Sequence, residues 1–238
     1  MPRLAGEAGS AAGPGRAGAG AGSQHRAMES RDELDMAARD PLIGDYLDLV
    51  RAANPDGGLR NYPGSPWLAV RLARADDRVV ACETVPEVAA ALAAAVPAAE
   101  RHRRDGYEAH ALLPPKERRG LVLVDPPFER ADEFEALAAF VNRARARFAG
   151  GVYAIWYPLK NRHAAARFVR RTAAGGRALE LRLDVGAGAP GRLHACAVLV
   201  INPPFGFTEQ AEAALRALLP VLRRGAGAGF AVRPVAAA

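Results

Sequence analysis

"GLVLVDPPFER", residues 120–130, runs four apolar residues straight into an aspartate, two prolines and an aromatic ring. Leu121 to Val124 would present apolar side chains on both faces of a strand. That pattern marks a central parallel strand covered by helices on each side. Pro126 and Pro127 have no N–H and a fixed φ, so the ladder cannot continue past them. Outward from this strand the chain alternates between the two kinds of element. "RVVACE" (78–83) reads as a short strand, and Pro86 opens a helix carrying Val88, Leu92 and Val96 that Pro97 stops. A helix bearing Phe134, Leu137, Val141 and Phe148 on one stripe ends at Gly150-Gly151. "VYAIWY" (152–157) is a further strand, and Asn161 caps a basic helix behind it. "ALELRLDV" (178–185) and "LHACAVLVI" (193–201) form a hairpin across a Gly/Pro turn, followed by a helix over 208–219 and a short strand near 230–232. Strands alternating with helices predict an α/β fold with a mostly parallel sheet, finished by a C-terminal antiparallel hairpin.

The N-terminal third is different. Residues 1–38 form a low-complexity tail whose first 30 positions hold one large aliphatic residue, Leu4, and it is expected to be disordered. Its glycines tempt a reading as a phosphate loop, but such a loop needs a strand before it, and residues 1–12 cannot supply one. Helical periodicity starts after Asp40-Pro41, with Leu42, Ile43, Tyr46, Leu47 and Val50. "NPDGG" (54–58) and "NYPGSP" (61–66) are turns.

Half of the 238 residues are apolar, enough for one substantial domain plus a tail. No run approaches a membrane span, and the N-terminus lacks a signal-peptide layout, so a cytoplasmic protein is expected. Cys82 and Cys196 each lie in an apolar run and read as buried hydrophobes, with no metal site expected. Net charge is +6, and basic residues gather at 101–106, 116–120, 143–148 and 167–171. RNA or DNA is the obvious partner for that charge. An arginine-rich chain with only two lysines, Lys116 and Lys160, also fits a compositional bias throughout.

Ligands of such sheets bind beyond the carboxyl ends of the strands. That singles out Glu83, Asp105-Gly106, Asp125 to Phe128, Pro158 and Asn202. A carboxylate at the mouth of a buried strand needs a partner or a task. Asp125 and the Pro126 carbonyl can each accept one hydrogen of an exocyclic amine, while Phe128 stacks on a base taken out of its helix, worth about 1–3 kcal/mol. Holding both hydrogens draws the nitrogen toward a tetrahedral shape and frees its lone pair for attack on an electrophilic methyl group. Asp-Pro-Pro alone also ends strands, and the strand before it favours the chemical reading. Glu83 has two readings of equal weight, a ribose ligand or a helix-start carboxylate. Asp105-Gly106 also fits a plain turn, and Ser65 a helix cap.

Taken in order, "YPGSP" (62–66), "CE" (82–83), "RRDGY" (103–107), "LVLVDPPFE" (121–129), "YAIWYP" (153–158) and "VINPPF" (200–205) resemble the bacterial 23S ribosomal RNA adenine-N6 methyltransferases, the ribosomal RNA large subunit methyltransferase J family. The resemblance covers residues 39–238, with 39–75 as a helical insertion and 76–238 as the sheet core. It implies a Rossmann-like methyltransferase using S-adenosylmethionine on 23S ribosomal RNA without need of the assembled ribosome; a monomer is expected. It implies Asp125, Pro126 and Phe128 as catalytic residues, and Ser65, Glu83, Asp105, Gly106 and Asp125 as cofactor contacts. In the second motif copy, Asn202 is expected to shape a loop and not to act on substrate. The family pattern begins with an apolar strand and an Asp-Thr-His-Ala-Gly-Ala-Gly loop. "GRAGAGAG" (15–22) has neither strand nor Asp-Thr-His, and His25 sits in no such context, so the first strand of the sheet is expected to be absent. Two alternatives remain at this point, a silent RNA-binding relic of the family and a DNA adenine-N6 methyltransferase.

Overall fold

The strand at 121–124 forms as expected, but at an edge. The structure is a computed structural model and describes residues 35–186 and 192–235. The expected disordered tail and the Gly/Pro turn of the hairpin lie almost wholly outside the described residues. The chain divides into two compact units that meet at Arg103-Arg104.

In the first unit, α1 (Pro41–Ala52) starts at Asp40, whose Oδ1 accepts from the Leu42 and Ile43 amides at 3.0 and 3.4 Å. This offsets donors that a helix start leaves without partners. The buried Asn54 side chain then ties Val50, Arg60 and Asn61 together, fixing the turn before α2 (Ser65–Leu72). β1 (Val80–Cys82) leads through α3 (Pro86–Ala95) to β2 (Glu100–His102), which pairs parallel to β1.

The second unit opens with a 3-10 turn, Gly106–Leu112. It continues through β3 (Leu121–Val124), α4 (Glu133–Arg147), β4 (Val152–Pro158) and α5 (Arg162–Ala173). β5 (Ala178–Asp184), β6 (Ala195–Ile201), α6 (Phe207–Leu222) and β7 (Gly229–Pro234) complete it. The five strands lie in the order β3-β4-β6-β5-β7. β3 and β4 are parallel, and the other three pairings are antiparallel. The mixed α/β fold with its C-terminal hairpin is therefore present. Its antiparallel part is larger than the hairpin alone, because β6 enters between β4 and β5 while β7 adds at the far edge.

One face of this sheet carries the core. Tyr153, Ile155 and Tyr157 of β4 and Leu199 and Ile201 of β6 are fully buried among Leu137 and Val141 of α4 and Phe168 of α5. Fully burying such a side chain is worth roughly 1.5–3 kcal/mol. Arg145 locks the two helices together by donating to the Thr172 and Ala174 carbonyls at the end of α5, where positive charge suits the helix dipole. The turn into β4 requires glycine at 151, since a Cβ there would stand 2.5 Å from the Phe148 ring.

β3 corrects the expectation of a strand covered on both faces. Val122 and Val124 pack on the core, but Leu121 is 66% and Leu123 56% exposed. Among the described residues β4 is the only strand that pairs with β3. β1 and β2 form a separate two-stranded sheet. Among the described residues this leaves an apolar strand unpaired along one edge.

Candidate active site

Asp125 follows β3 directly. The parallel register pairs Val124 with Ile155, so the next step along both strands sets Asp125 beside Trp156. Trp156 pairs with Val198 of β6, and Cys196 lies two residues along on the same face. Burial pushes the Cys196 thiol up, and the nearby Asp125 adds to that rise. Asp125 stays open to solvent at the strand mouth, with no hydrogen bond or ion pair among the described residues. The surrounding protein nevertheless removes enough water to raise its carboxyl above the ordinary value. This is a carboxylate with free lone pairs.

The next three residues fix what lies beside it. Pro126 is buried and Pro127 exposed, and neither carbonyl accepts a backbone hydrogen bond among the described residues. Phe128 has φ 55°. A bulky residue in the left-handed region costs of order 1–3 kcal/mol, and such strain collects at functional sites. Phe128 is half-buried, edge-on to Phe134 at 4.9 Å and to Trp156 at 5.9 Å between ring centroids. Those two rings hold it in the strained form.

Glu133, which sequence reasoning missed, anchors the segment. It is 2% exposed. Its Oε1 accepts from the Tyr107 hydroxyl at 2.5 Å and its Oε2 from the Arg130 amide at 3.3 Å. Burial first, and then this carboxylate, drive the Tyr107 hydroxyl pKa upward. The bond joins the loop after Asp125 to the segment that starts at Asp105-Gly106. The only sequence signal was position, an acid opening a helix five residues after the aromatic of the motif.

Asp105 Oδ1 accepts from the Tyr107 amide at 2.9 Å, starting the 3-10 turn. Gly106 has open space where a Cβ would be. In the first unit, Glu83 follows β1, and its Oε1 accepts from the Val85 amide at 2.8 Å. Ser65 is the first residue of α2 after Gly64, and its hydroxyl caps nothing. The second oxygens of Glu83 and Asp105 and both of Asp125 take no hydrogen bond among the described residues. Within the second unit, Asp105 and Asp125 therefore keep free acceptor oxygens, and Gly106 leaves open space beside Asp105. No group of three or more His, Cys, Asp or Glu among the described residues could hold a metal ion.

The second motif copy stands at the other end of the sheet, because β6 runs antiparallel to β4. Asn202, also left-handed at φ 54°, donates from Nδ2 to the Ala149 and Gly151 carbonyls, each at 2.8 Å. It closes the turn ahead of β4, the loop-shaping role expected of it. Asn202→Ala is expected to destabilise the protein by about 1–3 kcal/mol in chemical denaturation, through two lost bonds and a residue less suited to this φ. Its turnover per folded molecule should stay unchanged.

Residues 30–231 match the family model described as "Ribosomal RNA large subunit methyltransferase D, RlmJ". Two curated relatives carry the name Ribosomal RNA large subunit methyltransferase J. The one from Escherichia coli K12 is 35% identical over 172 residues, 69% of this chain and 61% of its own length. The one from Haemophilus influenzae is 34% identical over 197 residues, 76% of this chain and 66% of its own. The chain thus spans less than two thirds of either relative. A crystal structure of a Legionella pneumophila protein superposes with a TM-score of 0.75 at 26% identity, over 81% of this chain and 73% of that one.

Proposed function

Because the chain belongs to the ribosomal RNA large subunit methyltransferase J family, we propose that it methylates the N6 amine of an adenine in 23S ribosomal RNA with S-adenosylmethionine. The observation that carries this reading is Asp125, an unpartnered carboxylate at a strand end beside two free proline carbonyls and a strained aromatic ring. Asp125 and the Pro126 carbonyl hold the two amine hydrogens, and Phe128 stacks on the base ring. The new N–C bond would form as the methyl–sulfur bond breaks and the neutral thioether leaves, and the amine would then release one of these hydrogens as a proton to solvent. S-adenosylmethionine, when bound, supplies the electrophilic methyl group. Glu83 would hold its ribose hydroxyls, with Asp105, Gly106 and Ser65 as further contacts. The site of action on this reading is the cytoplasm, and no helix among the described residues is long and apolar enough to cross a membrane.

A second reading, an RNA-binding relic without transferase activity, has in its favour that β3 has no partner on its outer edge among the described residues. Calorimetric titration with S-adenosylmethionine separates the two, and we expect saturable binding. With labelled cofactor, label is expected in N6-methyladenosine of protein-free 23S ribosomal RNA and not in duplex DNA. Absence of cofactor binding would select the relic. Label in DNA alone would select a DNA adenine methyltransferase.

A further inference from the structure

We propose that the exposed face of α5 (Arg162–Ala173) is a docking surface for the phosphate backbone of the substrate RNA; this rests on the function proposed above. The helix contains no acidic residue. Its inner face, Ala165, Phe168, Val169, Thr172 and Ala173, is buried in the core. Its outer face presents Arg162, His163, Arg167 and Arg170 around a shallow concavity floored by Ala166.

Three features point to a polyanion. First, the charge lacks counter-charge. Most arginines among the described residues lack an acidic partner within 4 Å, and Arg51, Arg60, Arg78, Arg130 and Arg182 have one; what sets this helix apart is that its arginines share one face that carries no acid. Arg167, Arg170 and Arg171 have none among the described residues, and Arg162 has only Asp184 at 3.8 Å, which His194 shares. Like charges spaced three and four apart weaken a helix by a few tenths of a kcal/mol per pair, a cost that an RNA phosphate seated on this face would offset. Second, the helix begins at the right place. β3 and β4 are parallel and end on one rim, Asp125 follows β3 there, and Arg162 follows the end of β4 by four residues. The arginine row runs from that rim for about 12 Å, at 1.5 Å per residue. Third, the side chains suit phosphate. The guanidinium fork matches phosphate oxygens in pairs. A membrane-surface helix would add large apolar residues to this face, and here the floor is alanine.

The test is the double variant Arg167→Gln/Arg170→Gln in the full chain, whose exposed side chains leave the core intact. Fluorescence anisotropy with a protein-free 23S ribosomal RNA fragment is read across a salt series. The affinity is expected to fall about ten-fold, and the slope of log K against log salt to lose roughly one to two units. Arg167→Lys/Arg170→Lys should keep the salt slope. Methyl transfer at saturating RNA and calorimetric binding of S-adenosylmethionine should match wild type. Unchanged RNA affinity and slope in the glutamine variant would overturn the surface, even where the wild type transfers methyl. Loss of retention on anionic lipid vesicles with RNA affinity unchanged would overturn it in favour of a membrane. A wild type that binds RNA in this way but transfers no methyl would leave the surface standing and defeat the proposed reaction.

Discussion

Asp125→Asn is expected to slow methyl transfer by about 10²–10³-fold, the scale for loss of a charged group aimed at a developing centre, while folding and RNA binding persist. The substitution keeps shape and volume but turns a two-oxygen acceptor into a group with one acceptor and two donors. A donor facing the target amine repels its hydrogens, so the base loses both its anchor and the pull on the nitrogen. The carboxyl has no partner to orphan among the described residues, so stability has little to lose. Desolvation sets the sign of the pH effect. Burial raises the Asp125 pKa above the ordinary carboxyl value. A group raised on folding contributes stability below its unfolded pKa and loses it as pH rises through the folded pKa. At neutral pH the native protein has already lost that contribution. The asparagine variant, which does not ionise, should therefore melt at the wild-type temperature or slightly above it. Wild-type activity should fall on the acid side at a pH above about 3.9, where a free aspartate protonates. Single-turnover transfer with the asparagine variant at the wild-type rate would end the case for Asp125.

Much of this arrangement was legible in residue order. Asp40-Pro41, Asn161 and the Gly150-Gly151 pair punctuate the chain, and the elements start and stop at them. β2 was invisible because its three residues, Glu-Arg-His, offer no apolar alternation. It forms a strand where β1 provides a parallel partner, with Glu100 held by Arg78 and hydrogen-bonded to His102. The apolar run of β3 was read as fully covered, since burial on two faces and exposure on one produce the same letters; among the described residues Leu121 and Leu123 stay exposed. The resemblance already set Asp125 apart from Asn202, but the local letters did not show why. Strand direction did, because β3 delivers its motif to one rim and the antiparallel β6 delivers the copy to the other. Glu133 was hidden for a different reason. Its partner Tyr107 is 26 residues away, and only the packing of α4 on the 3-10 turn brings them together.

That hidden contact carries the second large effect. Glu133→Ala is expected to destabilise the protein by about 2–3 kcal/mol, because it removes a charge-assisted bond and leaves the half-buried Tyr107 hydroxyl without its acceptor. At roughly 2–4 °C per kcal/mol for a chain of this size, the melting temperature should drop by about 5–10 °C. Glu135→Ala is the control. Glu135 sits in the same first turn of α4 but is exposed, so it loses only a surface charge near the helix start, below about 1 kcal/mol. Glu133→Gln keeps an acceptor for Tyr107 and should fall between the two. Stability is only half of the expectation. Glu133 holds the Arg130 amide with its other oxygen, so its loss frees the loop that presents Pro126 and Phe128. Phe128 can then relax from its left-handed backbone. Transfer per folded molecule should therefore fall in Glu133→Ala and not in Glu135→Ala. A Glu133→Ala protein that melts and turns over like wild type would show that the bond to Tyr107 neither holds the fold nor sets the loop.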